Sequence, residues 1–311
     1  MSMRIFVTGA TGYIGGSIAA RLVARGHEVV GLTRSAESAA RLRETGVTPV
    51  VGSLVALGTL AEVASGVDAV INAANSDDPF VVEAILPVLE GTGKSFIHTS
   101  GSSIIADRGG GERSDLVFNE DTPFVALPER QGRAAVERLV LSYGQRGVRS
   151  VVVRPTLIYG QGAGLHKSSI QVPRMLDLAL AKGKALHIGK GENVWSNVHI
   201  DDVVDLYLLA LEMAPPGSLF FAENGECSMR TIAEAISRLL GHGGRTESWP
   251  MEEALKDWGI SAQATFASNS RVSAQKARAM LGWNPKGPGL VEDVEHGSYR
   301  ALLVAEGKLP A

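Results

Sequence analysis

Arg4-Ile5-Phe6-Val7-Thr8-Gly9-Ala10-Thr11-Gly12-Tyr13-Ile14-Gly15 is the stretch on which the fold turns. Arg4 to Thr8 reads as a short apolar strand. Across 13–25, Ile14, Ile18 and Leu22 recur at i, i+4 and i+8, which is one face of a helix. Gly26 follows, where the chain leaves the helix through positive φ. The glycines between strand and helix have the spacing Gly-x-x-Gly-x-x-Gly. Gly9 would allow the tight turn, Gly12 would let backbone approach a pyrophosphate, and Gly15 would let the helix pack close to the strand. The free N–H groups at the helix start would then face the phosphates. A glycine-rich turn that only permits packing would look the same in isolation. Strand, turn and helix in register favour the nucleotide.

Outward from this turn, strand and helix alternate. Strands are expected at 28–33, 48–51, 68–72, 94–100 and 150–154, with helices near 36–44, 59–64, 80–89 and 130–145. Apolar strands separated by amphipathic helices indicate a parallel sheet covered on both faces. The fold class is therefore α/β, a Rossmann-type doubly wound parallel sheet. After Pro155 the rhythm breaks. Helices near 170–181, 203–213, 231–240, 273–281 and 290–306, with short strands at 185–188, 218–222 and 246–249, suggest a smaller mixed α/β substrate lobe. The division is expected at 1–158 for the NADP-binding domain and 159–311 for the lobe, with some interleaving of elements.

Of the 311 residues, 45% are hydrophobic and 20% charged, enough to bury a full core. A net charge of −3 gives no global attraction to nucleic acid or to an acidic membrane. The longest run without a charge, 45–61, is interrupted by Gly46, Pro49, Gly52 and Gly58, so no spanning helix is expected there. The first strand follows Met1 almost directly, without a signal-peptide pattern. Cys227 is the only cysteine, which excludes an internal disulfide and favours a reducing, cytoplasmic setting. The histidines lack metal-ligand spacing, so no metal is expected.

The end of the second strand selects the cofactor. A carboxylate there would bind the ribose hydroxyls of NAD, but this chain has Gly31-Leu32-Thr33-Arg34-Ser35. A guanidinium suits a 2′-phosphate, so Arg34 favours NADP, with NAD as the alternative. An ordinary solvated arginine is the plain reading of the same residue.

Thr8-Gly-Ala-Thr-Gly-Tyr-Ile-Gly15 resembles the opening of the extended short-chain dehydrogenase/reductases, the NAD(P)-dependent epimerase/dehydratase group. So do Phe96-Ile-His-Thr-Ser100, Val153-Arg-Pro-Thr-Leu-Ile-Tyr-Gly160, Asn197-Val-His-Ile-Asp-Asp202 and Met280-Leu-Gly-Trp283. The resemblance spans nearly the whole chain. It implies a small-molecule substrate and a homodimer formed through the helices after the fourth and fifth strands. The cofactor-facing positions would be Gly9, Thr11, Gly12, Tyr13, Ile14, Gly15, Arg34, Ser53, Ala73, Ala74, Thr99, Arg133 and Pro155.

The catalytic centre departs from that family's pattern. Its Tyr-x-x-x-Lys pair falls on Glu129 and Arg133, and its Ser or Thr falls on Gly101, flanked by Ser100 and Ser102. Arg133 keeps a cation beside the cofactor ribose but does not exchange protons. Glu129 would serve as the acid/base if burial raised its pKa toward 7. An i,i+4 Glu–Arg contact on the helix surface is the plainer reading of the pair. Ser100 or Ser102 would hydrogen-bond the substrate oxygen. An arginine that grips the diphosphate in the family's nucleotide-sugar epimerases falls on Trp195, which suits an apolar or aromatic substrate, or is a core residue. The expected function is an NADP(H)-dependent oxidoreductase or epimerase-like enzyme acting on a small carbonyl or alcohol compound, with a non-standard centre. The alternatives are a non-catalytic NADP(H)-binding sensor and an enzyme whose acid/base sits on the lobe.

Overall fold

In a computed structural model of the chain, describing residues 2–310, the glycine turn joins strand β1 (Arg4–Thr8) to helix α1 (Tyr13–Ala24). The alternation continues through β2 (Glu28–Thr33), α2 (Ala36–Glu44), β3 (Thr48–Val51), α3 (Leu57–Ser65), β4 (Ala69–Asn72), α4 (Pro79–Leu89), β5 (Ser95–Thr99), α5 (Gln131–Ser142) and β6 (Arg149–Pro155). The lobe contributes β7 (Leu157–Tyr159), α6 (Gln171–Lys182), β8 (Ala185–Ile188), β9 (Val194–His199), α7 (Ile200–Met213) and β10 (Ser218–Ala222). It continues with β11 (Glu226–Ser228), α8 (Met229–Leu239), β12 (Thr246–Trp249), α9 (Met251–Trp258), α10 (Gln275–Leu281), α11 (Leu290–His296) and α12 (Ser298–Ala305).

Seven strands form one parallel sheet in the order β10-β6-β5-β4-β1-β2-β3. Successive side chains of a strand point to opposite faces, and both faces are apolar here. Ile5, Val7, Ile71, Ile97 and Val151 pack with Ile18 and Leu22 of α1 and with Val203, Leu206 and Tyr207 of α7. Phe6, Val30, Val70, Phe96 and Val152 pack on the other face with α3, α4 and α5. The strand order reverses between β1 and β4, so the crevice at their carboxyl ends is the place where such sheets bind ligands.

The smaller lobe holds the three-stranded sheet β11-β9-β7, the pair β12-β8 and a separate core that includes Tyr159, Trp195, Ile232, Trp249 and Phe266. Chain position and architecture do not divide together: β10 pairs with β6 in the main sheet, and α7 covers that sheet's face. The helix expected across 290–306 is two helices, broken at Gly297. There the Asp293 carboxylate accepts from the Ser298 N–H at 2.9 Å, and a Cβ on residue 297 would stand 2.3 Å from Asp293 Oδ1. Among the described residues no helix is long and apolar enough to cross a membrane.

Candidate active site

The glycine turn is built as tightly as its spacing implies. Gly9 has φ of +74° and sits so close to the next strand end that a Cβ would lie 2.6 Å from the Ala73 carbonyl oxygen. A Cβ on Gly15 would lie 2.4 Å from the Gly9 carbonyl oxygen, so only glycine lets α1 approach β1 this closely. Gly12 differs, since a Cβ there would meet only the Gly9 oxygen, at 3.2 Å, and otherwise open space. Gly12 is also the N-cap of α1, with no side-chain cap and no acid in the first turn. A bare helix start needs acceptors, and phosphate oxygens at this position would satisfy it.

At the end of β2, Arg34 is exposed and makes no ion pair among the described residues. Beside it the Thr33 hydroxyl is buried without a hydrogen-bond partner. Ser35 is committed to capping α2 through the Ser38 N–H, at 3.1 Å. Ser53 is half-buried just past β3, and Ala73 and Ala74 form the turn beyond β4. The residues at this edge fit a dinucleotide: an uncapped helix start, a backbone cradle kept open at Gly12, and an unpartnered hydroxyl next to a guanidinium that is free among the described residues.

A cavity of about 350 Å³ lies between the carboxyl ends of β5 and β6 and the lobe, lined in part by Ile14, Ser100, Arg130, Arg133, Pro155 and Trp195. A larger cavity, about 540 Å³, lies between residues 120–126 and α5 and shares none of these groups. The buried ion pair of Glu137 and Arg154, at 2.9 Å from Nε to Oε1, fixes α5 against β6 and with it the position of Arg133. Arg133 is engaged at all three nitrogens. It donates twice to Asp77, at 2.8 Å each, and to the Ser103 hydroxyl at 2.9 Å. Those bonds hold the Asp77 carboxyl below the usual range.

Glu129 does not sit as an acid/base at the cavity would. It is exposed, pairs with Arg108 at 3.0 Å rather than with Arg133, and does not line the cavity. Its own backbone N–H and the Arg108 guanidinium hold its carboxyl below the ordinary range, opposite to what a general acid near pH 7 requires. The two serines also separate. Ser102 is buried and accepts from the Ser270 hydroxyl at 2.8 Å. Ser100 is also buried and, like Ser102, lines the cavity, but its hydroxyl has no partner.

Two cofactor positions have structural partners of their own. The Tyr13 hydroxyl donates to the Gly160 carbonyl at 2.8 Å, tying α1 to the lobe, and burial raises its pKa. The Thr99 hydroxyl accepts from Tyr207 at 2.7 Å. Trp195 is core and cavity wall together: it is buried, and its indole N–H donates to the Ser268 carbonyl at 2.8 Å. Sequence reasoning missed His98, which lies buried on β5 with Nδ1 3.1 Å from Asn72 Nδ2, while Thr8 donates to Asn72 at 2.6 Å. Burial pushes the His98 imidazole down to about 4, so the ring is neutral. Arg130, which the sequence did not single out, also lines the cavity. Among the described residues no group of three or more His, Cys, Asp or Glu is arranged to hold a metal ion.

The sequence pattern of the NAD dependent epimerase/dehydratase family matches residues 5–220. An uncharacterised protein of Schizosaccharomyces pombe is 35% identical over 96% of this chain and 100% of its own length. A 4-hydroxy-2-methyl-3-oxo-4-farnesyl-3,4-dihydroquinoline-1-oxide ketoreductase of Stigmatella aurantiaca is 29% identical over 72% of this chain and 69% of its own. Among solved structures, a dTDP-glucose 4,6-dehydratase from Streptomyces venezuelae with NAD bound superposes with a TM-score of 0.77, covering 98% of both chains at 19% identity.

Proposed function

The chain belongs to the NAD dependent epimerase/dehydratase family, as an NAD(P)-dependent enzyme of the extended short-chain dehydrogenase/reductase type, and from that premise we propose an NADP(H)-dependent oxidoreductase acting on a small carbonyl or alcohol compound. One observation carries the reading. The Thr33–Arg34 corner, the uncapped start of α1 and the cavity under Ser100 follow one another along the carboxyl edge of the sheet. Gly9, Thr11, Gly12, Ile14 and Gly15 would hold the pyrophosphate side, Arg34 the 2′-phosphate, and Ser53, Ala73 and Ala74 the adenosine side. Thr99, Arg133 and Pro155 would border the nicotinamide riboside. When bound, the nicotinamide exchanges a hydride with the substrate carbon.

The chain's own contribution is orientation of the substrate against a wall that carries a few fixed polar groups. Ser100 has a free hydroxyl with which to donate to a substrate oxygen. Arg133, fixed by Asp77 and Ser103, presents a rigid edge and cannot act as a proton donor. With no tyrosine or titratable carboxyl lining the cavity, the proton is drawn from water. A reducing compartment such as the cytoplasm suits the single cysteine, Cys227. Exposed Phe80 and Val88 on α4, beside α5, suit a homodimer.

The test is oxidation of NADPH and of NADH, followed at 340 nm with a panel of aldehydes and ketones. Turnover with NADPH in preference to NADH is expected. No turnover with either cofactor, or a clear preference for NADH, would remove the proposal.

A further inference from the structure

We propose that the cavity takes substrates carrying an anionic group, of the carboxylate class, on an apolar body, and that Arg130 grips that group. The inference rests on the cavity being the substrate site of the NADP(H)-dependent reaction, and it adds the substrate's charge.

Four observations converge. Arg130 lines the cavity, half-buried, and makes no ion pair or side-chain hydrogen bond among the described residues. The two carboxylates whose charges act on it are already taken, Asp77 by Arg133 and Glu129 by Arg108. A half-buried guanidinium without an anion is costly, and an incoming carboxylate would relieve that cost. Next, the Ser100 hydroxyl, 8% exposed as a residue, borders the same cavity without a partner. It is a second donor for an oxygen ligand. Third, Arg130 stands where the turn Pro128–Arg130 runs into the twelve-residue helix α5, which fixes its place on the cavity wall. Last, the remaining wall is largely apolar: Ile14, Ile158 and Trp195 line it, and Ile170, 72% exposed, stands at its edge. A cation and a hydroxyl on an apolar wall fit a compound with one anionic end.

The test uses 4-phenylbutyrate and its neutral amide as probes, titrated by calorimetry into the full chain. The acid should bind about tenfold more tightly than the amide, the low end for a hydrogen-bonded charge. Arg130→Gln should abolish that preference, and Arg130→Lys should keep part of it. NADPH affinity and melting temperature should stay unchanged in both variants. Equal binding of acid and amide by the unmodified protein would overturn the proposal, as would a preference that survives Arg130→Gln. If Arg130→Gln weakens NADPH and spares the acid, the guanidinium belongs to the cofactor and the proposal falls. NADPH binding is read separately, so failure of the cofactor reading would appear there and not in the acid–amide difference.

Discussion

At the scale of single residues, Arg34 and Glu129 show what a sequence can and cannot tell about charge. Arg34 stands just past β2 with no ion-pair partner among the described residues, at the position where the acid is missing. Losing a charge-assisted phosphate contact costs about 1.5–3 kcal/mol, roughly tenfold to hundredfold in affinity. Arg34→Ala should weaken NADPH by that factor and leave NADH nearly unchanged in a fluorescence titration; equal losses would mean the residue acts by general charge. Glu129 pairs with Arg108, 21 residues away and beyond any helical spacing, and not with Arg133. Glu129→Gln should therefore leave turnover intact, whereas loss of a working acid/base lowers it about 10²–10⁴-fold. Arg130 and the free hydroxyl of Ser100 were illegible for the same reason, since vacancy of a partner is a property of three-dimensional neighbours. His98 adds a pH dependence. Its folded pKa, about 4, lies below the unfolded value of about 6.5, so the unfolded chain takes up the proton first. Stability should be complete above pH 6.5 and fall by about 3 kcal/mol as pH drops toward 4. Urea melts across that window should lose this component in His98→Gln.

At the scale of elements, the first half of the chain was readable because each unit is local. A strand, a turn and a covering helix declare themselves within about 25 residues through periodicity. The three-residue strands β7 and β11, and β9 between them, were not foreseen, since β9 pairs with Leu157–Tyr159 some forty positions earlier and carries no alternation of its own. The break at Gly297 was hidden because it depends on the Asp293 carboxylate meeting the next helix. The glycine turn offers a sharper contrast. Gly15→Ala forces a methyl against the Gly9 carbonyl and should cost about 1–3 kcal/mol, as overpacking does. Gly12→Ala sets a methyl 3.2 Å from the Gly9 carbonyl oxygen and otherwise in open space, and should cost under about 1 kcal/mol, less than Gly15→Ala. Thermal melts of the two variants would separate a packing glycine from a ligand-facing one.

For the whole molecule, the glycine turn is where both halves meet. The Tyr13 hydroxyl holds the Gly160 carbonyl, the backbones of Gly16 and Gly164 touch, and Arg21 pairs with Asp205 at 2.8 Å. The doubly wound sheet was legible from the run of strands and helices, but the return of β10 into it was not, because a strand that far along the chain finds its edge only through packing. Thus α1 carries three duties: its inner face packs on the sheet, its side braces the lobe, and its bare amino end faces the crevice. The central claim is that this bare end holds a phosphorylated nicotinamide cofactor. The measurement that tests it most directly is a titration of NADPH into the unmodified chain and into Gly12→Val, each checked for an unchanged melting temperature. The account predicts a Kd of about 1 μM or tighter for the unmodified chain, near −8 kcal/mol. It predicts a loss of about a hundredfold or more in the variant, since a side chain at Gly12 would occupy the approach to the pyrophosphate. No NADPH binding by the unmodified chain, or equal binding by a folded Gly12→Val, would contradict it.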